Sequence, residues 1–332
     1  MIYNKIGTSG LYVSRLCLGT MAFGSLIDEK ESFRIMDMAL DNGVNFFDTA
    51  NAYGMRRDKL TGATTGEPQL TEKIIGRWFA QGGGRREKIV LITKFNAPEG
   101  ELDGANNKPG LSAWKIRRNL DASLKRLQTD HLEIYMMHRV DRSVSWEELW
   151  PAFTIAQYQG KADYIASSAF AAHDLVTAQA EAEKRGLLGL ICAQHRYNLV
   201  CRWPELEVIP ALKKLGMGLL PYSPLGGGHL SGNALNAPGP RTSGRTLSPE
   251  QRAQLEAFQA FSEEVGISQP KLAHAWVLKN PAVSAFLTGP RTTEMLQEAI
   301  DSVDVEMTDE MMAKLDVMFP GTNGAATDAY NW

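Results

Sequence analysis

The segment Asn45-Phe46-Phe47-Asp48-Thr49-Ala50-Asn51-Ala52-Tyr53-Gly54 decides the fold of this 332-residue chain. Its first six residues predict a buried strand, and the last four are typical of a polar loop. A carboxylate, Asp48, lies near the carboxyl end of this strand, and a phenol, Tyr53, follows on the loop. Two later strand-like segments also end in proton-active side chains: Leu91-Ile92-Thr93-Lys94 in a lysine, and Ile134-Tyr135-Met136-Met137-His138 in a histidine.

Eight strand-like apolar segments alternate with helix-like segments, spaced by roughly the 30 or more residues that a βαβ unit needs. Their nearly continuous apolar character is typical of strands buried on both faces. Upstream, two short segments flank Gly7-Thr8-Ser9-Gly10 and predict a β-hairpin. The sequence therefore predicts one α/β domain over residues 1–332, a (β/α)8 TIM barrel with an N-terminal β-hairpin closing the bottom. The predicted strands are 14–19, 45–50, 88–94, 131–138, 164–170, 190–195, 218–224 and 283–289.

The main alternative fold is an open, doubly wound sheet. Such a sheet that binds dinucleotides carries a glycine-rich fingerprint after its first strand. The segment Gly19-Thr20-Met21-Ala22-Phe23-Gly24 does not fit that fingerprint, and neither do the glycine runs at 82–84 and 226–228. The barrel is therefore the better prediction.

Composition narrows the functional classes. The formal net charge is −3, which gives no reason to expect nucleic acid or an anionic membrane as partner. No apolar segment approaches the ~20 residues of a membrane span, and the first residues lack the apolar core of a signal peptide. Cys17, Cys192 and Cys201 are too few for a disulfide framework. We therefore expect a cytoplasmic protein with reduced thiols.

The carboxyl ends of barrel strands meet at one face, so Asp48, Lys94 and His138 should point to a common mouth that Tyr53 can reach. A tyrosine with the ordinary pKa of ~10 is a poor acid at neutral pH. A neighbouring lysine cation favours the phenolate and lowers that pKa, and a carboxylate keeps the lysine charged and oriented. A neutral histidine can position a carbonyl oxygen against the phenol. These four residues predict a site that protonates a carbonyl, or that runs the reverse reaction.

Each of these residues, taken alone, is more often structural than catalytic: an ion pair, a packed tyrosine or a hydrogen-bonded histidine. Their joint occurrence at the ends of strands two, three and four favours catalysis. The other histidines show no pairwise metal spacing, so no metal site is predicted. They are His131, His173, His195, His229 and His274.

The same residues carry a resemblance to the aldo-keto reductase family, which covers nearly the whole chain. The matching segments occur in the family's order, and their number makes the resemblance specific. They are Lys5-Ile6-Gly7-Thr8-Ser9-Gly10-Leu11-Tyr12-Val13-Ser14, Gly43-Val44-Asn45-Phe46-Phe47-Asp48-Thr49-Ala50 with Tyr53-Gly54, Ile92-Thr93-Lys94, Ser123-Leu124-Lys125-Arg126-Leu127 with Thr129-Asp130, Met137-His138-Arg139, Gln194 with Tyr197-Asn198, Pro221-Tyr222-Ser223-Pro224-Leu225, and Gly289-Pro290-Arg291-Thr292.

By that resemblance Tyr53 is the proton donor, Asp48 and Lys94 tune it, and His138 orients the substrate carbonyl. Hydride comes from a nicotinamide cofactor held across the barrel mouth, with no metal. Apart from the resemblance, Phe95, Trp114 and the tail near Trp332 are candidates for the substrate pocket beside Tyr53 and His138, and ordinary packing is an equal alternative for each of them. The residues expected to bind the cofactor are Gly19, Thr20, Met21, Asp48, Ser168, Gln194, Tyr222, Ser223, Leu225, Gly227, Gly289, Arg291 and Gln297.

Three positions depart from the family pattern. Ala169 replaces an asparagine that usually follows Ser168, Met295 replaces a frequent arginine, and Ala299 replaces a frequent asparagine. Arg291 is suited to bind an adenosine 2′-phosphate, because a guanidinium is a good phosphate ligand. NADP(H) is therefore favoured as cofactor, and NAD(H) remains possible.

The resulting hypothesis is an NAD(P)(H)-dependent oxidoreductase acting on a small polar aldehyde, ketone or sugar. The long polar segments 54–69 and 95–111 suggest a polar substrate. One alternative is a cofactor-binding regulatory subunit of the same fold with little turnover. Another is a barrel isomerase that uses Tyr53 and His138 without a cofactor. The substrate, the working direction and the oligomeric state stay open.

Overall fold

A computed structural model describes residues 1–57, 62–99, 101–235 and 247–321. In chain order the strands are β1 Tyr3–Lys5, β2 Tyr12–Ser14, β3 Leu16–Gly19, β4 Phe46–Asp48, β5 Met55–Arg57, β6 Thr64–Gly66, β7 Val90–Phe95, β8 Leu132–Met137, β9 Ala162–Ser168, β10 Leu190–Arg196, β11 Gly218–Tyr222 and β12 Phe286–Thr288. The α-helices are α1 Glu29–Asp41, α2 Leu70–Phe79, α3 Ala113–Leu127, α4 Trp146–Tyr158, α5 Ala172–Glu183, α6 Val208–Lys214, α7 Pro249–Val265, α8 Gln269–Lys279, α9 Thr293–Asp301 and α10 Asp309–Met318.

The predicted (β/α)8 barrel is confirmed. Eight parallel strands form one sheet in the order β11-β10-β9-β8-β7-β4-β3-β12, with helices between successive strands. The two end strands, β11 and β12, are brought together by a parallel bridge between Leu219 and Val283. The Leu219 amide donates to Ala282 O at 2.8 Å, and the Ser284 amide donates to Leu219 O at 3.0 Å. This contact distinguishes the fold from an open doubly wound sheet.

The strands are apolar throughout because both of their faces are buried. Side chains such as Phe46, Ile92 and Ile134 pack with one another inside the barrel. Their sequence neighbours, such as Phe47 and Leu91, pack outward against the helices. Burial of each large side chain stabilises the fold by roughly 1.5–3 kcal/mol.

The N-terminal hairpin closes the end of the barrel opposite the strand carboxyl termini. β1 and β2 pair in antiparallel fashion, and Ile6 and Val13 join the apolar cluster inside the barrel. The Thr8 amide donates to Gly216 O at 2.8 Å, directly before β11 begins. The predicted position of the hairpin is confirmed.

Helix caps explain where several helices begin. Ser112 Oγ accepts from the Lys115 amide and starts α3, and Ser248 forms a capping box with Gln251 at the start of α7. Such caps stabilise a helix by about 1 kcal/mol. Among the described residues, every helix is too short or too polar to span a membrane.

The long polar segment 54–69 contains the small antiparallel pair of β5 and β6. The sequence pattern conceals it because these strands are largely exposed and show no apolar alternation. Gly66, with φ of +71°, packs so closely on Gly54 O that a Cβ would lie 1.9 Å away. Only glycine fits this contact.

Candidate active site

Three of the predicted catalytic side chains form a buried hydrogen-bonded cluster. Lys94 extends from β7, and its Nζ donates to Asp48 Oδ1 at 2.6 Å and to Thr49 O at 3.0 Å. The same Nζ lies 3.2 Å from Tyr53 Oη. The pairing of β4 with β7 brings these groups together, because Asp48 lies beside Ile92 in the sheet. Both Lys94 and Asp48 are almost fully buried, so solvent scarcely screens their charges.

His138 completes the group from the end of β8. Its amide donates to Phe95 O at 3.0 Å, which extends the strand pairing by one residue. Its ring meets the Tyr53 ring edge-on, with 5.8 Å between ring centroids. Asp48, Tyr53 and His138 all border a cavity of about 560 Å³ at the barrel mouth.

The surroundings fix the charges of the cluster. Burial alone would lower the pKa of Lys94, but the Asp48 carboxylate and the Tyr53 hydroxyl outweigh burial and raise it. Burial raises the pKa of Asp48, against the opposing effects of Lys94 and of Gln194, whose Nε2 donates to Asp48 Oδ2 at 2.7 Å. Lys94 is therefore a permanent cation next to the phenol.

His138 is neutral at physiological pH. Burial foremost, followed by the cations of Lys94 and Arg139, lowers the pKa of His138 to about 3. A neutral imidazole carries one N–H donor and one acceptor nitrogen. His138 can therefore donate a hydrogen bond to an oxygen atom without being a competing acid.

Most of the residues predicted to bind a cofactor border this cavity or the next. A second cavity of about 400 Å³ shares Ser223, Leu287, Thr288 and Gly289 with the first, so the two form one continuous trough. The first cavity is bordered by Gly19, Thr20, Met21, Asp48, Ser168, Gln194, Tyr222, Ser223 and Gly289. The second cavity is bordered by Ser223, Leu225, Gly227, Gly289 and Arg291.

The second cavity fits an elongated anionic ligand such as a dinucleotide. Arg291 supplies a cation there, and Gly227, with φ of +73°, leaves open space where a Cβ would lie. His274 borders the same cavity; it is only 2% exposed, and neither ring nitrogen has a hydrogen-bond partner in the described part of the protein. A buried polar group without a partner is unfavourable, so the unpaired ring of His274 destabilises the fold.

Of the described residues predicted to bind substrate or cofactor, three do not border the trough. Phe95 is fully buried and stacks on Tyr135 with centroids 4.6 Å apart, because strand alternation turns it outward when Lys94 points inward. Trp114 lies on α3 under the Arg118 guanidinium. Gln297 is exposed and donates to Asp301 at 2.7 Å, whereas its neighbour Glu298 borders the second cavity. The tail near Trp332 lies outside the described residues.

The sequence prediction also missed residues that border the trough. Arg139, Val140 and Ala169 border the first cavity, and Arg139 could have been found because it directly follows His138 at a strand end. His274 and Glu298 lie on helices, where no local signal shows which face meets a cavity. In the described residues, no group of three or more His, Cys, Asp or Glu side chains is arranged to hold a metal ion.

Comparison with known proteins identifies the same family that the sequence motifs resemble. The model of the Aldo/keto reductase family matches residues 15–318. An uncharacterized oxidoreductase, YrpG of Bacillus subtilis (strain 168), is 51% identical over 100% of both chains. A probable voltage-gated potassium channel subunit beta of Arabidopsis thaliana is 33% identical over 92% of each chain. Protein tas of Escherichia coli (strain K12) is 31% identical over 96% of this chain and 97% of its own.

Proposed function

Because this chain belongs to the aldo/keto reductase family, whose members are nicotinamide-dependent oxidoreductases, we propose that it reduces the carbonyl of a small polar aldehyde, ketone or sugar, or oxidises the matching alcohol. One observation carries the proposal. Lys94 Nζ lies 2.6 Å from Asp48 and 3.2 Å from Tyr53 Oη, and both Asp48 and Tyr53 border a cavity with room for a small substrate.

Tyr53 is the general acid in the reducing direction. The bound nicotinamide would supply the hydride to the carbonyl carbon. Tyr53 Oη donates its proton to the carbonyl oxygen, and the resulting phenolate faces the Lys94 cation 3.2 Å away. Asp48 and Thr49 O hold that cation in place. In the oxidising direction the phenolate takes the alcohol proton, so one residue serves both directions.

His138 orients the substrate. Its ring is held edge-on to Tyr53 and stays neutral, because its pKa is lowered to about 3. An N–H donor directed at the carbonyl oxygen fixes that oxygen next to the phenol. Holding the reacting groups in this geometry lowers the activation barrier of the reaction.

The trough residues would hold the cofactor. We expect Ser168 and Gln194 to bind the carboxamide, Tyr222 to stack on the nicotinamide ring, and Ser223, Leu225 and Gly227 to contact the pyrophosphate. Arg291 favours NADP(H), because a 2′-phosphate gains from a facing guanidinium. Glu298 borders the same cavity and opposes that charge, so NAD(H) should bind as well.

The test begins with NADPH and NADH fluorescence titrations of the purified protein, followed by aldehydes, ketones and sugars in both directions. The substitution Tyr53→Phe should lower turnover by about 10²–10⁴ while cofactor affinity stays within twofold. Tyr158→Phe is the matched control, since Tyr158 is 89% exposed. Near wild-type turnover of Tyr53→Phe would show that another group is the acid.

A second candidate is a cofactor-binding regulatory subunit with little turnover. It is favoured by the similarity to the Arabidopsis thaliana relative and to a probable voltage-gated potassium channel subunit beta of Oryza sativa subsp. japonica, which is 31% identical over 96% of each chain. Such a protein would bind the cofactor tightly and require a protein partner. Fast turnover of any carbonyl, together with no partner recovered in a pull-down, would remove this candidate.

A further inference from the structure

Asn51 connects the Tyr53 loop to two other parts of the barrel mouth. It lies two residues before Tyr53 and is 1% exposed. Its amide donates to Lys94 O at 2.9 Å. Its side-chain Nδ2 lies 2.7 Å from Asn119 Oδ1 and 3.0 Å from Glu99 Oε1. The start of the loop that carries Tyr53 is therefore held by hydrogen bonds to the Lys94 strand and to Glu99.

A buried ionic cluster of Glu99, Arg126 and Glu72 lies behind this contact. Arg126, on α3, donates to Glu99 at 2.6 and 3.2 Å and to Glu72 Oε2 at 2.7 Å. Glu72, on α2, is fully buried, and its other oxygen accepts from Thr93 Oγ1 at 2.5 Å. Burial alone would lower the pKa of Arg126, but the two carboxylates raise it, so the guanidinium stays charged.

The two ends of this cluster contact the chain segments that carry Tyr53 and Lys94. On one side Glu99 contacts Asn51, which leads to Tyr53. On the other side Glu72 contacts Thr93, which directly precedes Lys94. One guanidinium thus links the loop that carries the acid with the strand that carries its cation. A mutation far from the chemistry that misplaces the reacting groups by about 1 Å can lower a rate by roughly 10²-fold.

We propose that Arg126 is a positioning residue of the active site: through Glu99 with Asn51, and through Glu72 with Thr93, it fixes the distance between Tyr53 and Lys94. This inference rests on the proposed function, because it assumes that Tyr53 is the acid. Arg126 touches neither cavity of the trough and is assigned no contact with substrate or cofactor.

The chain offers a matched control for this residue. Arg86 is buried to a similar degree, with 11% of its side chain exposed against 12% for Arg126, and it also pairs with a carboxylate, that of Glu133. Its other hydrogen bonds go to Thr129 and to the carbonyls of Ile89 and His131, just before β7 and β8 begin. Arg86→Met therefore reports the general effect of losing a buried ion pair away from the barrel mouth.

The experiment compares Arg126→Met, Arg126→Lys and Arg86→Met in kcat, KM, cofactor affinity, thermal unfolding and the pH at which Tyr53 ionises. That pH is read from tyrosinate absorbance, as the difference between each protein and its Tyr53→Phe counterpart. We expect Arg126→Met to lower kcat at least 30-fold, to leave cofactor affinity within threefold, and to move Tyr53 ionisation to higher pH. Arg126→Lys should recover part of both effects, and Arg86→Met should change only the unfolding temperature.

A loss of stability in Arg126→Met equal to that in Arg86→Met, with kcat and Tyr53 ionisation unchanged, would overturn the proposal. If Arg126→Met does not fold, Thr93→Val breaks only the link to Glu72 and should lower kcat 3- to 10-fold with the same direction of pH shift; no change in either quantity would equally overturn it. The absorbance readout needs no turnover. If the wild-type protein is inactive, the proposed function is contradicted. The absorbance measurement still tests whether Arg126 positions Tyr53.

Discussion

Lys94 Nζ and Tyr53 Oη lie 3.2 Å apart, although 41 residues separate them in the chain. The Lys94 ammonium also lies 4.9 Å from the centroid of the Tyr53 ring. The cation is buried with its Asp48 partner, so its field acts on the phenol in a medium of low dielectric constant. Substitutions of this pair therefore test the proposed chemistry of the barrel mouth most directly.

Removal of the cation should abolish turnover and destabilise the protein. Lys94→Met leaves the Asp48 carboxylate buried without its partner, which typically destabilises a protein by about 3–5 kcal/mol. The double variant Lys94→Met with Asp48→Asn removes both charges and should recover most of that stability without recovering kcat. Urea unfolding and steady-state kinetics measure the two effects. Activity that returned together with stability would contradict the role of Lys94 in catalysis.

The pH profile should show no ionisation of His138 in the ordinary histidine range. Its pKa is lowered to about 3, chiefly by burial, so the ring is neutral throughout pH 5–8. The kcat/KM for reduction should therefore show no acid limb from His138 between pH 5 and 7. An acid limb near pH 6.5 that disappears in His138→Gln would show that His138 is charged in the working enzyme.

Two other buried histidines should make stability depend on pH. Burial lowers the pKa of His195 to about 4 and that of His274 to about 3, below the unfolded value of ~6.5. Between these values only the unfolded chain binds the proton, so stability is full above pH 6.5 and falls as the pH decreases. The slope approaches ~1.4 kcal/mol per pH unit for each histidine.

Urea unfolding at pH 7, 6 and 5 measures this slope. His274→Leu should reduce it and should also stabilise the protein at pH 7, because a leucine leaves no unpaired ring nitrogens. His173→Gln is the control, since the His173 side chain is 71% exposed. An identical slope in wild type and His274→Leu would mean that His274 can be protonated within the fold.

The sequence predicted that the candidate catalytic side chains lie together, because strand direction alone brings the ends of parallel strands to one face. Asp48, Lys94 and His138 needed only that rule, and Tyr53 follows Asp48 closely in the chain. Phe95 was misplaced because strands that are apolar on both faces conceal which side chains point inward; the inward direction of Lys94 settles it. The sequence offered no means of pairing Glu99 with Arg126, because that contact depends on how a long loop packs against α3.

Arg291 should determine how strongly the protein distinguishes NADPH from NADH. Arg291→Met is expected to weaken NADPH binding about tenfold, equivalent to ~1.4 kcal/mol, and NADH binding much less, because only NADPH carries the 2′-phosphate. Glu298→Gln should act in the opposite direction and tighten NADPH, since it removes an opposing charge from the same cavity.

Fluorescence titrations with both cofactors, at low and at moderate salt, measure these changes, and Arg139→Met is the control because Arg139 borders the other cavity. The difference between the cofactors should shrink with salt if the Arg291 contact is electrostatic and partly exposed. Equal weakening of NADPH and NADH by Arg291→Met would instead place the guanidinium against a group that both cofactors share, such as the pyrophosphate. In that case Glu298→Gln should also affect both cofactors equally, so the two variants together identify which part of the dinucleotide lies in the second cavity.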